Sequence, residues 1–395
     1  MKDDLQIFLN GNEMLQRVLS WTLKRDVFSG CGSFEADLDP TLMFSVTCEP
    51  VKFEVHINGE PYMVGWIDSA NRSYSKSSGR AFRISGRDTV QLWTDNSVLK
   101  IKSYSGTVES VIKSILSDSK SITGKNGNCK GKTYTLPDEF SAYTVTSRAK
   151  NNLPTKNVQV LTEANQTVFE CISRIVSQHD IIIYSDGSGS IVIDGLIGSA
   201  EARATEWAGT VIYASSAVGD NRHQSNVISA SYSESAAEFH NVLRVRGHTS
   251  SYLESLDEDN YSQRSIVVGS VSDNAEDEYK GLTKIKLLEL NYTEEQAWAA
   301  KGNATAMVQA ARIDEFRKAF KFNYTVGGLS EDDGTPYNIN QVVSVTDEIF
   351  GSGAPTFISY GLTMTGSKST GMMTEFDLSC PGDAKPFSDE YKVGA

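Results

Sequence analysis

The sequence predicts a β-dominated α+β fold of two to three domains. Three observations carry this. Apolar and polar residues alternate with period two, punctuated by Asn-Gly, through the first hundred residues. Helical periodicity is confined to three stretches, and alternation returns towards the C-terminus. At roughly 150 residues per domain, the 395 residues give each unit enough chain to bury its own core.

The elements follow in order. Leu5-Gln6-Ile7-Phe8-Leu9 runs into Asn10-Gly11. Phe53, Val55 and Ile57 alternate with Lys52, Glu54 and His56 up to Asn58-Gly59, after which Tyr62, Val64 and Trp66 resume the pattern. Asn-Gly between alternating runs is the strongest short hairpin signal, because a type I′ turn needs positive φ at both central residues. Residues 80–88 supply another strand, and residues 1–104 read as a small antiparallel barrel or sandwich without helix. At Thr107 the period changes. Val108, Val111, Ile112, Ile115 and Leu116 lie on one helix face, with Thr107 as N-cap. The polar stretch from Ser117 to Lys132 reads as a loop. A second helix is expected from Thr167, with Val168, Cys171, Ile172, Ile175 and Val176 on one face. It leads into a hairpin made of Ile181–Tyr184, the turn Asp186-Gly187-Ser188-Gly189, and Ile191–Ile193. Residues 105–205 therefore form an α+β unit.

Strands return at Val227–Tyr232 and Val242–Val245. Residues 249–280, with Asp257-Glu258-Asp259 and the acidic stretch from Asp273 to Glu278, read as an exposed excursion. Thr293 with Gln296 forms a capping box that opens an Ala-rich helix to about Arg312. Phe320, Phe322, Tyr324 and Val326 then alternate with polar residues, and strands follow at Gln341–Thr346, Thr356–Thr365 and Thr374–Ser379. The division is thus 1–104, 105–205, then 206–248 with 316–383 as a second β unit, interrupted by 249–315. Residues 384–395 are expected to fray.

Charge narrows the function. Lys and Arg number 37 against 50 Asp and Glu, a net −13. A sequence-independent grip on nucleic acid or anionic lipid needs clustered Lys/Arg, and no Lys/Arg-rich run is visible. Hydrophobic residues at 39% and charged residues at 22% place the chain among folded rather than disordered proteins. The five Cys (31, 48, 129, 171 and 380) are odd in number, widely spaced and without C-x-x-C, so isolated reduced thiols are expected. Asp3-Asp4 occupy the place of a signal peptide's basic region, and no apolar run reaches membrane-spanning length. The expectation is synthesis and folding in a cytoplasm-like compartment with no membrane insertion.

Several motifs imitate chemistry. Asn126 to Thr133 ends like a phosphate-binding loop, but its first Gly is replaced by Asn126, with neither a strand before it nor a helix after it. With Gly189 at the invariant glycine of a calcium loop, Tyr184 and Gly195 fall where carboxylates are needed, so a hairpin turn is expected. His56, His179, His223, His240 and His248 show no metal-ligand spacing, and G-x-S-x-G is absent. The acidic runs 257–259 and 331–333 read as solvated loops. Trp21, Trp66 and Trp93 read as core residues of strands rather than a sugar groove. No catalytic, cofactor or metal residue is assigned. This chemistry suits a protein that positions other proteins.

The order of the pieces resembles the baseplate hub proteins of contractile phage tails, the phage Mu-like and late-control protein D family, related to the first half of type VI secretion spikes. The resemblance rests on Leu5–Gly11, Trp21, Gly32–Asp37, Val55-His56-Ile57-Asn58-Gly59-Glu60-Pro61, Gly65-Trp66-Ile67-Asp68, Ile84–Asp88 and Asp95-Asn96-Ser97. It continues through the hairpin Asp186 to Asp194, Arg246-Gly247, Val342–Val345 and Leu378-Ser379-Cys380-Pro381. The loops 117–135 and 249–280 are longer than the family pattern, and Gly334-Thr335-Pro336-Tyr337 stands where the family has Gly-x-Leu-Trp.

The resemblance implies two small antiparallel β-barrels with inserted α+β domains, assembled as a homotrimeric, pseudo-sixfold ring. Such a hub adapts the sixfold tail tube to the threefold spike and leaves a channel for DNA. The implied partners are the spike protein, a tail tube or distal tube protein and baseplate wedge proteins, in a virion tail assembled in the host cytoplasm. DNA passes without specific binding, and the net −13 suits a repulsive channel wall. The competing readings are an envelope-degrading carbohydrate-active enzyme or peptidase, and the hub of a non-phage injection system. LQIFLNGNE and FEVHINGEP echo each other within the first unit.

Overall fold

The computed structural model of the chain describes residues 3–42, 44–47, 49–77, 79–125, 130–153, 158–176, 181–197, 210–214, 226–235, 237, 240, 242–249, 266–272, 285–292, 315, 318–347, 356–368 and 370–379. The first unit holds β1 (Leu5–Leu9), β2 (Asn12–Glu13), β3 (Val18–Asp26), β4 (Ser33–Leu38), β5 (Lys52–Ile57), β6 (Glu60–Ser75) and β7 (Gly79–Asp88). A single helical turn, α1 (Gln91–Thr94), leads to β8 (Ser103–Gly106), α2 (Val108–Ser119), β9 (Ser121–Thr123) and β10 (Thr133–Thr135). Then come β11 (Tyr143–Val145), α3 (Ser147–Asn152), β12 (Val158–Leu161), α4 (Val168–Val176), β13 (Ile181–Ser185) and β14 (Ile191–Gly195). The rest is strand: β15 (Thr210–Ala214), β16 (Val227–Glu234), β17 (Val242–Thr249), β18 (Ile266–Ser272), β19 (Ile285–Tyr292), β20 (Phe320–Gly327), β21 (Val342–Asp347), β22 (Thr356–Ser367) and β23 (Gly371–Ser379).

Alternation is the reason the first strands form. In β1 and β5 every second side chain is buried, and the two pair antiparallel from Leu5↔Ile57 to Leu9↔Phe53. Each ends in a type I′ turn, with φ of 48° and 76° at Asn10-Gly11 and 54° and 82° at Asn58-Gly59. The two asparagines act reciprocally. Asn10 N–H donates to the Lys52 carbonyl at 2.8 Å, and its Oδ1 accepts from Lys52 N–H at 2.8 Å. Asn58 N–H donates to the Asp4 carbonyl at 2.7 Å, and its Oδ1 accepts from Asp4 N–H at 2.9 Å. Each side-chain amide thus extends the ladder by one rung. The sequence echo is a local pseudo-twofold across β1 and β5.

The two β units share one sheet. Its hydrogen-bonded path is β16-β20-β23-β22-β3-β4-β7-β6-β5-β1-β2, and β22 also pairs β21, which pairs β15, for 13 strands. The seam is β3 against β22, antiparallel from Ser20↔Ser367 to Asp26↔Gly361. One apolar cluster underlies both halves, with Phe34, Phe53 and Phe82 from the first and Phe322, Phe357 and Phe376 from the second, none more than 1% exposed. Burying each such ring is worth roughly 2–3 kcal/mol, so this shared core opposes separation of the halves. A second cluster, around Trp93, Ile112, Ile115, Phe140 and Ile172, belongs to the α+β unit.

The helices follow the sequence signals. The Thr107 side chain accepts from Ser110 N–H at 3.3 Å and caps α2, whose buried residues are the expected apolar face plus Ser119. Thr167 and Glu170 form a reciprocal capping box on α4, at 3.1 and 2.9 Å.

Four differences matter. The stretch 117–132, expected as a loop, continues α2 to Ser119 and enters the β9–β10 hairpin. Trp93 sits on α1 rather than in a strand, because burial of its ring under the α+β unit and an indole N–H bond to the Phe140 carbonyl at 2.8 Å outweigh alternation. Residues 143–152 hold β11, parallel to β14, and the short helix α3. Within 249–280, expected to be an exposed excursion, β18 pairs antiparallel with β17, and just beyond that stretch β19 pairs parallel with β17 on its other side. The Ala-rich helix 293–312, the acidic runs 257–259 and 273–278, His179, His223, Cys48, Cys129, Cys380 and the segment 384–395 lie outside the described residues.

Candidate functional site

Three units meet at a buried polar joint. Arg25, on the seam strand β3, is only 3% exposed. Its guanidinium donates to Asn338 Oδ1 at 2.7 Å and to the Ser185 carbonyl at the end of β13. It lies 5.3 Å from the Tyr62 ring centroid and 5.9 Å from that of Tyr184. One side chain therefore ties the first β unit to the second and to the α+β hairpin. Asp88 lies alongside, its carboxylate accepting from Gly32 N–H at 2.8 Å and Val90 N–H at 3.0 Å. Burial pushes the Asp88 carboxyl above the usual range, opposed by bonds from Gly32, Ser185 and Val90 and by the charge of Arg25.

A second buried carboxylate completes the joint. Asp194 accepts from the Thr146 hydroxyl, from Arg148 at 3.1 Å, from the Tyr184 hydroxyl at 3.2 Å and from Asn340 Nδ2 at 3.1 Å. Asn340 Nδ2 also donates to the Gly195 carbonyl at 3.1 Å, and its backbone N–H donates to the Ser359 carbonyl at 2.7 Å. Burial and the neighbouring Asp194 hold the Tyr184 phenol well above its ordinary range. These groups are spent on one another. The arrangement fixes the angle between units and leaves little basicity or nucleophilicity for chemistry.

The β13–β14 tip is seated against the first unit. A Cβ at Gly187 would come within 1.9 Å of the Pro61 carbonyl oxygen, so only glycine allows this approach. Asp186 Oδ1 accepts from Ser188 N–H and Ser190 N–H, both at 2.9 Å, and from the Ser188 hydroxyl at 2.7 Å. The expected hairpin turn, as opposed to a calcium loop, is what the carboxylate builds.

The other motifs are placed plainly. Lys130 to Thr133 lead into β10 rather than a helix, and 126–129 lie outside the described residues. His56 stacks obliquely on Phe8 at 5.1 Å and lies 3.7 Å from Glu54. His240 Nδ1 lies 2.7 Å from Glu315, and His248 lies on β17. Glu331-Asp332-Asp333 form a partly exposed turn, with Gly334 N–H donating to the Glu331 carbonyl at 2.9 Å. The Gly334–Tyr337 corner is closed by a Ser330↔Pro336 bridge, with Tyr337 buried edge-on against Phe376 at 5.0 Å. Cys31 is partly buried and Cys171 buried, and both are free thiols. Burial first, then the Asp88 charge, pushes Cys31 up to about 12, so it is a poor nucleophile at neutral pH. Among the described residues no three His, Cys, Asp or Glu converge to hold a metal ion, and no helix is long and apolar enough to cross a membrane.

Sequence reasoning missed the joint. Nothing marks Arg25, Asn338 or Asn340 as partners, because residues remote in sequence converge there. It also missed the β9–β10 hairpin itself, whose polar, Lys-containing sequence carries too little alternation to read as strand.

No protein-family model matches the chain, and no curated protein matches it. Solved structures do. The tail protein from Neisseria meningitidis MC58 superposes with a TM-score of 0.69 at 16% identity, over 96% of this chain and 97% of that one. The 43 kDa tail protein of prophage MuSo2 from Shewanella oneidensis gives 0.66 at 18% identity, over 97% and 100%. The fold is one found in phage tail proteins. A component of the Escherichia coli type VI secretion system, c3393, gives 0.50 at 10% identity, over 99% of this chain and 78% of that one. These identities carry the fold alone.

Proposed function

We propose that this chain is the structural hub of a contractile-tail baseplate, a homotrimer that adapts a sixfold tube to a threefold spike around a channel for DNA. The observation that carries the reading is the tail-protein fold, matched over nearly the full length of both chains. The seam and the joint support it, because a hub must hold its units at fixed angles under load, and here one sheet and one buried Arg do so. In this reading the two halves of the sheet are two small barrels, divided as 1–104 and 206–248 with 316–383, and the α+β unit 105–205 projects from them. The partners are the spike, a tube or distal tube protein and the wedge proteins, the location is the virion tail, and the chain performs no catalysis. DNA would pass without specific binding.

A second reading, the equivalent hub of a non-phage injection system, is favoured by the likeness to the Escherichia coli secretion component. Native mass measurement and negative-stain imaging, with and without a candidate spike protein, test the proposal. The expected result is a threefold ring of three times the 43.2 kDa chain mass. A chain that stays monomeric with the spike present, or that hydrolyses peptidoglycan, overturns it.

A further inference from the structure

Among the described residues, the β6–β7 hairpin outreaches the sheet that carries it. β4 pairs with β7 only as far as Leu38↔Phe82, and β5 leaves β6 at Lys52↔Trp66. Past Arg72↔Phe82 the two strands continue as a ribbon through Ser73↔Ala81, Tyr74↔Arg80 and Ser75↔Gly79. At strand rise this is a projection of about 10 Å before the turn. Its base is held. Arg72 lies 4.4 Å over the Phe82 ring and donates to the Leu42 and Phe44 carbonyls at 3.3 and 3.4 Å. Asp37 accepts from Arg83 at 2.8 and 3.2 Å. The outer part is different. Tyr74 is 73% exposed and lies directly across from Arg80, on the ribbon face that also bears Arg72. Arg80, and Lys76 in the turn, are exposed, and neither has a carboxylate partner among the described residues. From Ser69 to Ala81 the sequence holds these three cations, Tyr74, Asn71, Gly79, serines and alanines. It holds no acid and no larger aliphatic side chain, within a chain of net −13.

We propose that the outer face of this ribbon rests on the phosphate backbone of duplex DNA and reads charge, not sequence. The proposal deepens the hub reading, on which the presence of DNA beside the chain rests, by naming the element that touches it. Arg, Lys, Ser, Asn and Tyr side chains are the usual donors to phosphate oxygens, and the exposed ribbon is made of little else. Arg80, Lys76 and Arg72 supply the charge, and the Tyr74 hydroxyl supplies a neutral donor between them. A protein partner would be met differently. The desolvated centre of a protein interface is built from clustered apolar anchors, and here one tyrosine stands among small polar groups. The contact is also weak by construction. Three cations neutralise about three phosphates, which makes binding steeply salt-dependent and blind to sequence. The net −13 of the whole chain repels the same backbone that the ribbon attracts. A duplex held this way can still slide.

The test is fluorescence anisotropy of two labelled DNA duplexes of unrelated sequence, titrated with the full chain across a salt series. Wild type should bind both equally, with about micromolar affinity at low salt that fades as salt rises. Lys76→Ala/Arg80→Ala should flatten the log–log salt slope by about 2. Lys76→Glu/Arg80→Glu should weaken low-salt binding about a hundredfold. Lys24→Glu/Lys321→Glu makes the same charge change on exposed lysines of β3 and β20, and should cost less than about threefold. Circular dichroism should show every variant folded, since all four side chains are exposed. Absence of binding at low salt, preference for one duplex, or binding that survives both ribbon variants overturns the proposal. A Lys24/Lys321 swap as damaging as the ribbon swap overturns it too, by reducing the effect to net charge. Equally tight, ribbon-dependent binding of poly-glutamate or of phosphatidylglycerol vesicles reassigns the face to an acidic protein or a lipid surface, and also overturns it. Sedimentation velocity on the same samples separates the two readings. A ring that ignores DNA overturns this contact alone, whereas a chain that binds DNA through the ribbon yet stays monomeric with a candidate spike protein overturns the hub alone.

Discussion

The α+β unit carries two hairpins with opposite fates. The β13–β14 tip is pressed onto the first unit until Gly187 meets the Pro61 carbonyl, and the Asp186 carboxylate is consumed by its own turn. The β9–β10 hairpin, from the same unit, pairs with no other strand among the described residues, and all six of its strand residues are exposed. Both are short ribbons with Gly-containing turns. The difference is in what each strand alternates. In β13 and β14 both faces are apolar and covered, with Ile181, Ile182, Ile183, Ile191, Val192 and Ile193 buried. In β9 and β10 Thr and Ser occupy one face, and the other carries a single apolar pair. One hairpin is part of the frame, and the other is surface.

Substitutions can sharpen that contrast. The largest effect belongs to the seated tip. Gly187→Ala sets a methyl against backbone and should cost about 3 kcal/mol, read as a lower urea midpoint at constant slope. Gly131→Ala, at φ 77° with no atom within 4 Å of the new Cβ, should cost only about 1 kcal/mol of backbone strain. Equal costs would erase the distinction between the hairpins.

Next comes the joint behind the seated tip. Arg25→Leu removes the guanidinium donor of the Ser185 carbonyl and one of the two donors of Asn338 Oδ1, which keeps Ile339 N–H at 2.9 Å, and should cost about 2–3 kcal/mol in the same assay. It should also raise amide exchange in β13 more than in β9.

A smaller effect is pH-dependent and confined to the unit that bears both hairpins. Burial opposes ionisation of Asp118, but bonds from Lys100, Lys102 and the Tyr104 hydroxyl hold its carboxyl down at about 2. A carboxyl depressed in the folded state contributes stability above its unfolded value near 3.8, and that contribution fades as pH falls from there through about 2. Thermal melts between pH 4 and pH 2 should therefore drop less steeply in Asp118→Asn than in wild type. The smallest effect is Ile122→Ser, which should shift monomer stability by no more than about 0.5 kcal/mol, as for any exposed position outside a frame. A loss several times larger would show that β9–β10 is structural after all.

Much of the frame is legible in the sequence because it is written in local rules. Alternation marks β1, β5, β20 and β22, positive-φ pairs mark Asn10-Gly11 and Asn58-Gly59, and the side-chain caps at Thr107 and Thr167 begin their helices where expected. What the sequence hides is relational. No spacing tells that β3 pairs β22, or that Arg25 donates across units to Asn338, because these contacts join residues hundreds of positions apart. Trp93 was misplaced for a similar reason, since its helix turn is fixed by a hydrogen bond to Phe140 rather than by a local pattern.

The seam between β3 and β22 also sets a timetable. The edge of β3 that faces β22 waits for a partner about 340 residues downstream, roughly 20–70 s of synthesis at ordinary translation rates. The sheet is thus completed only when nearly the whole chain has left the ribosome. Fragments released early carry an open strand edge of the kind that seeds aggregation. The strand that unites the finished molecule is, during its birth, the part most in need of a chaperone.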